Sequence, residues 1–236
     1  MRSVGAGLVV LALAGCSELA SSDDTVVALQ VTAPAGSAVE VGDTVRYTVV
    51  AVNRNGDPIP ASIYWSTPDT LVIAVDSLSG LVLGESPGQG RVQAISDGLV
   101  SPLNILTVIA TPDTLILVPP DTVTLDTLVS TTTGPLVARL ESYNPVGPIA
   151  GRLIIYEVVE PVFADTAART VQFSTGGLAD TATTAANGEP DEAVTLARIP
   201  GVAPPDSAIV EIRATRYKDN QPVPGSGQRW IIHFGL

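Results

Sequence analysis

The 236-residue sequence has few of the side chains that most often carry chemistry. It contains one cysteine, Cys16, and one histidine, His233, and only 4% of its residues are aromatic. One cysteine excludes a disulfide within the chain, and neither residue type is frequent enough to build a zinc cluster. A nucleophilic triad would depend on His233, and no Gly-x-Ser-x-Gly turn is present. We therefore expect no enzymatic activity, no cofactor and no catalytic or metal-binding residues.

Basic side chains are also scarce. Lysine and arginine together number 12 against 24 aspartates and glutamates, which gives a net charge of −12, and Lys218 is the single lysine. An acidic surface repels phosphate backbones, so nucleic acid is excluded as a partner. Acids alone could supply the two carboxylates of a glycosidase, but that chemistry needs a cleft between them that small β-sandwiches seldom provide.

No apolar run is long enough to span a bilayer. The run Val4 to Ala14 has 11 residues, whereas a spanning helix needs about 20. With Arg2 before it, this run predicts a secretory signal peptide at 1–15. Loss of the leader would leave 11 basic against 24 acidic side chains, a net charge of −13.

The end of the leader, Leu13-Ala14-Gly15-Cys16, resembles the lipobox of bacterial lipoproteins. This resemblance implies cleavage before Cys16 and attachment of lipid to its sulfur; the alternative is an ordinary leader with a chance cysteine. Several acyl chains anchor a protein firmly where one does not. Residues 16–25 are then the lipidated cysteine and a short tether. Ser17 in place of aspartate favours the outer membrane, by similarity to outer-membrane lipoproteins.

What the sequence does contain is the pattern of short β-strands. Valine, isoleucine and threonine are abundant, and they favour a pleated surface. Ile63 to Gly98 alone holds four apolar runs separated by three turns. Alternation is clear at Val45 to Val52, Ala208 to Thr215 and Arg229 to Phe234. No helix signal follows the leader, so we predict an all-β chain, and strands this short and regularly spaced favour an antiparallel sandwich or barrel. Two sandwiches placed end to end would span roughly 70 to 80 Å.

Six spaced elements in the first half resemble the group 2 bacterial immunoglobulin-like domain. They are Gly42-Asp43-Thr44, the turn from Asn53 to Ile59, Trp65-Ser66-Thr67-Pro68-Asp69, Ala74-Val75-Asp76, Gly80-Leu81-Val82, and Gly88-Gln89-Gly90-Arg91-Val92-Gln93-Ala94. The resemblance implies an immunoglobulin-like sandwich at 26–110. Pro68 departs from the pattern, but proline suits a turn.

The second half is similar, more loosely, to the invasin-type group 1 immunoglobulin-like domain. The matching elements are Pro148-Ile149-Ala150-Gly151, Thr183-Thr184, Asn187-Gly188 and Ala193-Val194-Thr195-Leu196. A second sandwich is therefore expected at 111–236. The boundary lies in the stretch Thr111 to Thr122, where two Pro-Asp-Thr turns flank a short apolar strand.

Three kinds of side chain remain as candidates for binding. Trp65 could stack on a sugar, but its place in an apolar strand favours the core, with Tyr64 pointing outward. The loop Asn187 to Glu192 and the pair Asp121 and Asp126 offer oxygen ligands for calcium, yet they lack EF-hand spacing and are expected to be solvated. His233 alternates with Trp230 and Phe234, so we expect it to face solvent.

These observations lead to a functional hypothesis. We expect a non-enzymatic cell-envelope lipoprotein of the outer membrane, periplasmic or surface-exposed, whose immunoglobulin-like domains act as spacer, adhesion or surface-interaction modules. Its partners are then the membrane, through lipid on Cys16, and envelope proteins or glycans. Two alternatives stay open: a carbohydrate-binding module that stacks sugars on Tyr64, Tyr143 and Tyr217, and an accessory subunit of an envelope complex that uses an exposed sheet edge.

Overall fold

The computed structural model describes residues 25–36 and 38–235, and every regular element in them is a β-strand. The all-β prediction is therefore confirmed. Within the described ranges no helix has the length and apolar character needed to cross a bilayer. The predicted signal peptide at 1–15 and the lipidation site Cys16 lie outside the described residues.

The N-terminal half contains ten strands. They are β1 (Ala28–Thr32), β2 (Ala38–Glu40), β3 (Thr44–Arg46), β4 (Thr48–Val52), β5 (Tyr64–Ser66), β6 (Ile73–Val75), β7 (Leu81–Gly84), β8 (Gly88–Ser96), β9 (Leu99–Val100) and β10 (Asn104–Ile109). One sheet has the order β2-β10-β8-β5, with β9 on β8. Across the core, β1 pairs with β4, and β3 pairs with β7 and then β6.

The C-terminal half contains ten more. They are β11 (Thr114–Leu117), β12 (Thr122–Asp126), β13 (Ala138–Tyr143), β14 (Val146–Pro148), β15 (Leu153–Glu160), β16 (Val171–Phe173), β17 (Ala179–Thr183), β18 (Leu196–Arg198), β19 (Ser207–Arg213) and β20 (Arg229–Gly235). One sheet has the order β12-β20-β19-β15-β17. On the other side lie β11-β13-β14 and the pair β16-β18. Backbone bonds from Thr133 N to Leu196 O and from Leu136 N to Val194 O join these two groups.

Both halves share one topology. The second strand of each runs parallel to its last strand, β2 beside β10 and β12 beside β20, while the other strand pairs are antiparallel. In the N-terminal half, β2-β10-β8-β5 forms one layer and the groups β1-β4 and β3-β7-β6 form the facing layer. In the C-terminal half, β12-β20-β19-β15-β17 forms one layer and the groups β11-β13-β14 and β16-β18 form the facing layer. This two-layer arrangement is that of an immunoglobulin-like sandwich. The group 2 and group 1 assignments and the boundary between 110 and 111 stay predictions.

The N-terminal core surrounds Trp65. Its ring lies 6.2 Å from that of Tyr47, centroid to centroid, and both side chains are buried. Gly80 closes this core at a turn with φ of +69°, where a Cβ would lie 2.7 Å from both the Trp65 ring and the Tyr47 carbonyl oxygen. Only glycine combines that backbone angle with that close approach. The prediction that Trp65 belongs to the core and Tyr64 to the surface is confirmed.

The C-terminal core is larger and surrounds a second aromatic pair. The rings of Tyr156 and Trp230 stack with centroids 5.9 Å apart and an angle of 15° between their planes. Burial raises the pKa of the Tyr156 hydroxyl. The alternating residues of β19 and β20 face this core as predicted, and His233 is exposed on the opposite face. The two halves thus have separate cores, and we call the region where they meet the junction.

Candidate functional site: the junction between the sandwiches

A single buried carboxylate connects the two sandwiches. Glu40 ends β2 in the N-terminal sandwich, and its side chain is 1% exposed. Its Oε1 accepts a hydrogen bond of 2.5 Å from Nη2 of Arg152 and one of 2.9 Å from the backbone N of Tyr217. Both donors belong to the C-terminal sandwich. The Arg152 side chain is itself only 12% exposed, so this ion pair lies largely out of water.

Local structure fixes the position of Glu40. In β2 it lies opposite Ile109, and the amide of the next residue, Val41, donates to the Ile109 carbonyl at 3.0 Å. The chain then turns at once, since the Asp43 amide donates back to the Glu40 carbonyl and Gly42 adopts a φ of +84°. This turn leaves the Glu40 side chain at the edge of the sandwich, facing the next domain.

The C-terminal sandwich supplies its donors from two segments. Arg152 precedes β15, and its backbone N donates to Oγ1 of Thr184 at 3.0 Å. Tyr217 lies in the connection between β19 and β20, a turn closed by a bond from Arg216 N to Gln221 O. Glu40 thus connects two segments of the C-terminal sandwich that are 65 residues apart, Arg152 and Tyr217.

Two further contacts surround this clamp, which we define as Glu40, Arg152 and Tyr217. Nζ of Lys218 lies 2.8 Å from Oδ1 of Asp43, and this carboxylate raises the pKa of the lysine. Both side chains are more exposed than those of Glu40 and Arg152, so water screens their attraction. In the linker, the Thr111 hydroxyl donates to the Val41 carbonyl at 2.8 Å. The linker is therefore held against the same turn that carries Glu40.

A cavity of about 370 Å³ opens beside the clamp. Its lining comes almost wholly from the C-terminal sandwich, with one residue from the end of β10. The lining residues are Ile109, Gly151, Arg152, Leu153, Thr215, Arg216, Tyr217 and Asn220. The lining contains two arginines and an exposed tyrosine, and it contains no aspartate or glutamate. Ligand sites are often found at domain interfaces of this kind.

The three tyrosines considered for sugar stacking are exposed but do not form one platform. Tyr64 lies in β5 of the N-terminal sandwich, and Tyr143 lies at the end of β13, beside the hairpin to β14. Tyr217 borders the junction cavity and is 50% exposed. Of the three, Tyr217 is therefore the one that the structure places beside other groups able to hold a ligand.

The acidic candidates do not form a metal site in the part of the chain that the structure describes. No group of three or more histidine, cysteine, aspartate or glutamate side chains in residues 25–36 and 38–235 could hold a metal ion. In the Asn187 loop, the Asn187 amide donates to Glu189 Oε2 at 3.0 Å, so one of its carboxylates is already engaged. Calcium binding was expected to be absent, and that stays a prediction.

Sequence reasoning missed the clamp. Glu40 and Arg152 are 112 residues apart, and each falls in a stretch that indicates only a turn or a strand. One signal was available: Glu40 stands between Val39 and Val41, so an acid interrupts an apolar strand next to a turn. Such an acid is either exposed at an edge or buried with a partner.

No protein-family model matches this sequence, and no curated protein matches it. Among solved structures the chain is similar to the adhesin InvE of Yersinia pseudotuberculosis, at 17% identity and a TM-score of 0.41, over 87% of this chain and 59% of that one. Domains 5–6 of the S-layer protein SbsC are similar at 14% identity and a TM-score of 0.34, over 90% and 99% of the two chains. Three N-terminal domains of the bacteriophage RB49 outer capsid protein Hoc show 12% identity and a TM-score of 0.39, over 89% and 71%. This chain thus spans 59% of the InvE structure. At these scores the description of the fold rests on the strand pairing alone.

Proposed function

We propose that this protein is a non-enzymatic lipoprotein of the bacterial cell envelope, in which two immunoglobulin-like sandwiches form a stiff spacer that presents loops away from the membrane. The observation that carries the proposal is the clamp, in which one buried carboxylate holds two segments of the next domain. Charge-assisted hydrogen bonds to a buried group are stronger and more directional than exposed ion pairs. A flexible linker between independent domains would need no such contact.

The order of elements along the chain supports a spacer. Ala28, at the start of β1, pairs with Val52, nine residues beyond the Asp43 turn that faces the junction. The chain therefore enters the N-terminal sandwich at the end away from the junction. In the C-terminal sandwich, β15 starts at the junction with Leu153 and runs to Glu160 at the opposite end. Moving away from the membrane, the anchor is therefore followed by the first sandwich, the clamp, the second sandwich and the loops at its outer end.

The anchor is proposed from the lipobox at Cys16. A lipid on Cys16 would hold the N-terminal sandwich near the membrane, since the nine residues 17–25 reach at most about 30 Å when extended. Outer-membrane localisation is proposed from Ser17, and the acidic surface suits a soluble, secreted domain.

Cell fractionation tests the anchor. Wild-type chain is expected in the membrane fraction and to be extracted by detergent, whereas Cys16→Ser is expected in the soluble envelope fraction. Gly15→Ala, which keeps the small residue that a lipobox requires, serves as the matched control and should stay in the membrane. Retention of Cys16→Ser in the membrane contradicts the proposal.

An accessory subunit of an envelope complex is a second candidate. Leu128 and Val129, after β12, and Val162, after β15, are each at least 80% exposed at the end of the C-terminal sandwich away from the junction. Exposed aliphatic side chains on neighbouring loops favour contact with another protein. A partner that copurifies in fixed ratio with wild-type chain, and is lost from Val162→Asp but not from Leu71→Asp in the N-terminal sandwich, would support this role.

A further inference from the structure

The junction cavity differs in charge from the rest of the molecule. Acidic side chains outnumber basic ones by two to one over the chain. The cavity lining reverses this ratio, since it contains Arg152 and Arg216 and no acid. An anion is therefore repelled less at this cavity than at the acidic surface elsewhere on the molecule.

The two arginines are not equivalent. Arg152 is neutralised by Glu40 through the 2.5 Å contact of the clamp. Arg216 makes no ion pair with any residue in 25–36 or 38–235, although Glu40, Asp43 and Asp219 line an adjoining hollow together with it. Of these three acids, Glu40 is paired with Arg152 and Asp43 with Lys218. Asp219 keeps its charge and accepts a hydrogen bond from the Gln221 amide. The Arg216 guanidinium is therefore not committed to an ion pair, and its donors suit a ligand that presents one planar carboxylate.

The other lining groups suit the remainder of a sugar. The Tyr217 ring is half exposed, and Leu153 is exposed beside the same cavity. An aromatic face and an aliphatic edge cover the C–H surface of a pyranose, while Asn220 and Thr215 offer donors and acceptors for hydroxyl groups. The volume of about 370 Å³ accommodates one or two sugar rings.

We propose that the junction cavity binds a saccharide that carries a carboxylate, with the carboxylate on Arg216 and a sugar ring on Tyr217. Bidentate bonds from a guanidinium fit the planar carboxylate of a sugar acid. A phosphorylated ligand with two or more charges is disfavoured by the net charge of −12. The site shares Arg152 and Tyr217 with the clamp, but Tyr217 serves the clamp only through its backbone amide, and Arg216 takes no part in it.

Isothermal titration of the full chain in non-ionic detergent tests the proposal. The probes are trigalacturonate, triglucuronate and a sialic-acid-terminated trisaccharide, each compared with its methyl ester. We expect at least one acid to bind and its ester to bind about tenfold more weakly, the effect of losing one charged hydrogen bond. Failure of all three acids at about 5 mM, or equal binding of acid and ester, overturns the proposal.

Substitutions locate the site. Arg216→Gln is expected to weaken the acid about tenfold and to leave the ester unchanged, and Tyr217→Ala to weaken both. Arg54→Gln and Tyr143→Ala, at exposed positions that do not line the cavity, are the matched controls and should bind as wild type. Equal losses in the controls place binding elsewhere and overturn the proposal. Competition by inorganic phosphate or by acetyl-dialanine at the same concentration would reveal a general anion site or a peptide site, and either result contradicts a saccharide site.

Discussion

Replacing Glu40 by glutamine removes the charge that faces Arg152 and changes little else. The amide oxygen can still accept from the Tyr217 amide, so the loss falls on the contact with Nη2 of Arg152 at 2.5 Å. A hydrogen bond to a charged group contributes about 1.5–3 kcal/mol. Leaving one partner of a buried pair uncompensated costs about 3–5 kcal/mol. Because Arg152 is 12% exposed and can gain some water, we expect Glu40→Gln to lower the free energy of unfolding by about 2–4 kcal/mol.

A double-mutant cycle measures the coupling energy between Glu40 and Arg152 apart from the contacts that each makes with other residues. Arg152→Met should destabilise the chain at least as much, because Glu40 is then an unpaired carboxylate at 1% exposure. The double variant should be more stable than the sum of the two losses predicts, with a coupling energy of about 2 kcal/mol or more. Urea unfolding of the full chain, followed by tryptophan fluorescence, gives all four values. Trp65 reports the unfolding of the N-terminal sandwich and Trp230 that of the C-terminal sandwich, because each is buried in its own core.

The exposed neighbour provides the control for this cycle. Lys218→Gln removes the partner of Asp43, but water screens that pair, and the midpoint of unfolding should hardly move. A coupling energy below about 0.5 kcal/mol between Glu40 and Arg152, or a Lys218→Gln loss as large as that of Glu40→Gln, would refute the reasoning that burial makes the clamp strong.

Three further predictions concern the core, pH and calcium. Gly80→Ala should lower the free energy of unfolding in urea by about 2–4 kcal/mol, and Gly42→Ala by about 1 kcal/mol. Both glycines have positive φ, but only at Gly80 would the added Cβ clash with other atoms. Hydrogen bonds from Arg91 hold the pKa of Asp69 below its ordinary 3.8, so the stability advantage of wild type over Asp69→Asn should persist at neutral pH and vanish as pH falls below about 4; an advantage that grows in acid contradicts this. A chelator should leave the melting temperature unchanged, and a drop of many degrees would indicate a calcium site, for which the loop 187–192 is the first candidate.

The sandwich cores could be predicted from the sequence because strand periodicity is local. Residues at period two share a face, so the inward set Val45, Tyr47, Val49 and Ala51 follows from their spacing, and the structure places all four toward the core. Trp65 and the Gly80 turn were likewise predictable from short-range patterns. The parallel pairing of β2 with β10 was not, because it joins residues about 70 positions apart.

The junction could not be predicted for the same reason. Whether Glu40 is buried depends on the approach of Arg152 and Tyr217, and no local pattern records the packing of one domain on another. Likewise, Tyr217 was one of three equivalent tyrosines in the sequence. It differs from Tyr64 and Tyr143 because the fold brings Ile109 and Arg152, which are distant in the sequence, beside it at the junction.

The stiffness of the junction is the central claim, and a distance distribution between the two sandwiches tests it most directly. Spin labels at Thr48→Cys in β4 and Thr181→Cys in β17, in a Cys16→Ser background, occupy exposed positions on separate sandwiches. Pulsed electron–electron double resonance should give one narrow distance distribution between the two labels. The distribution should broaden when Glu40→Gln is added and stay narrow when Lys218→Gln is added. A broad distribution in the chain with an intact clamp would contradict the account.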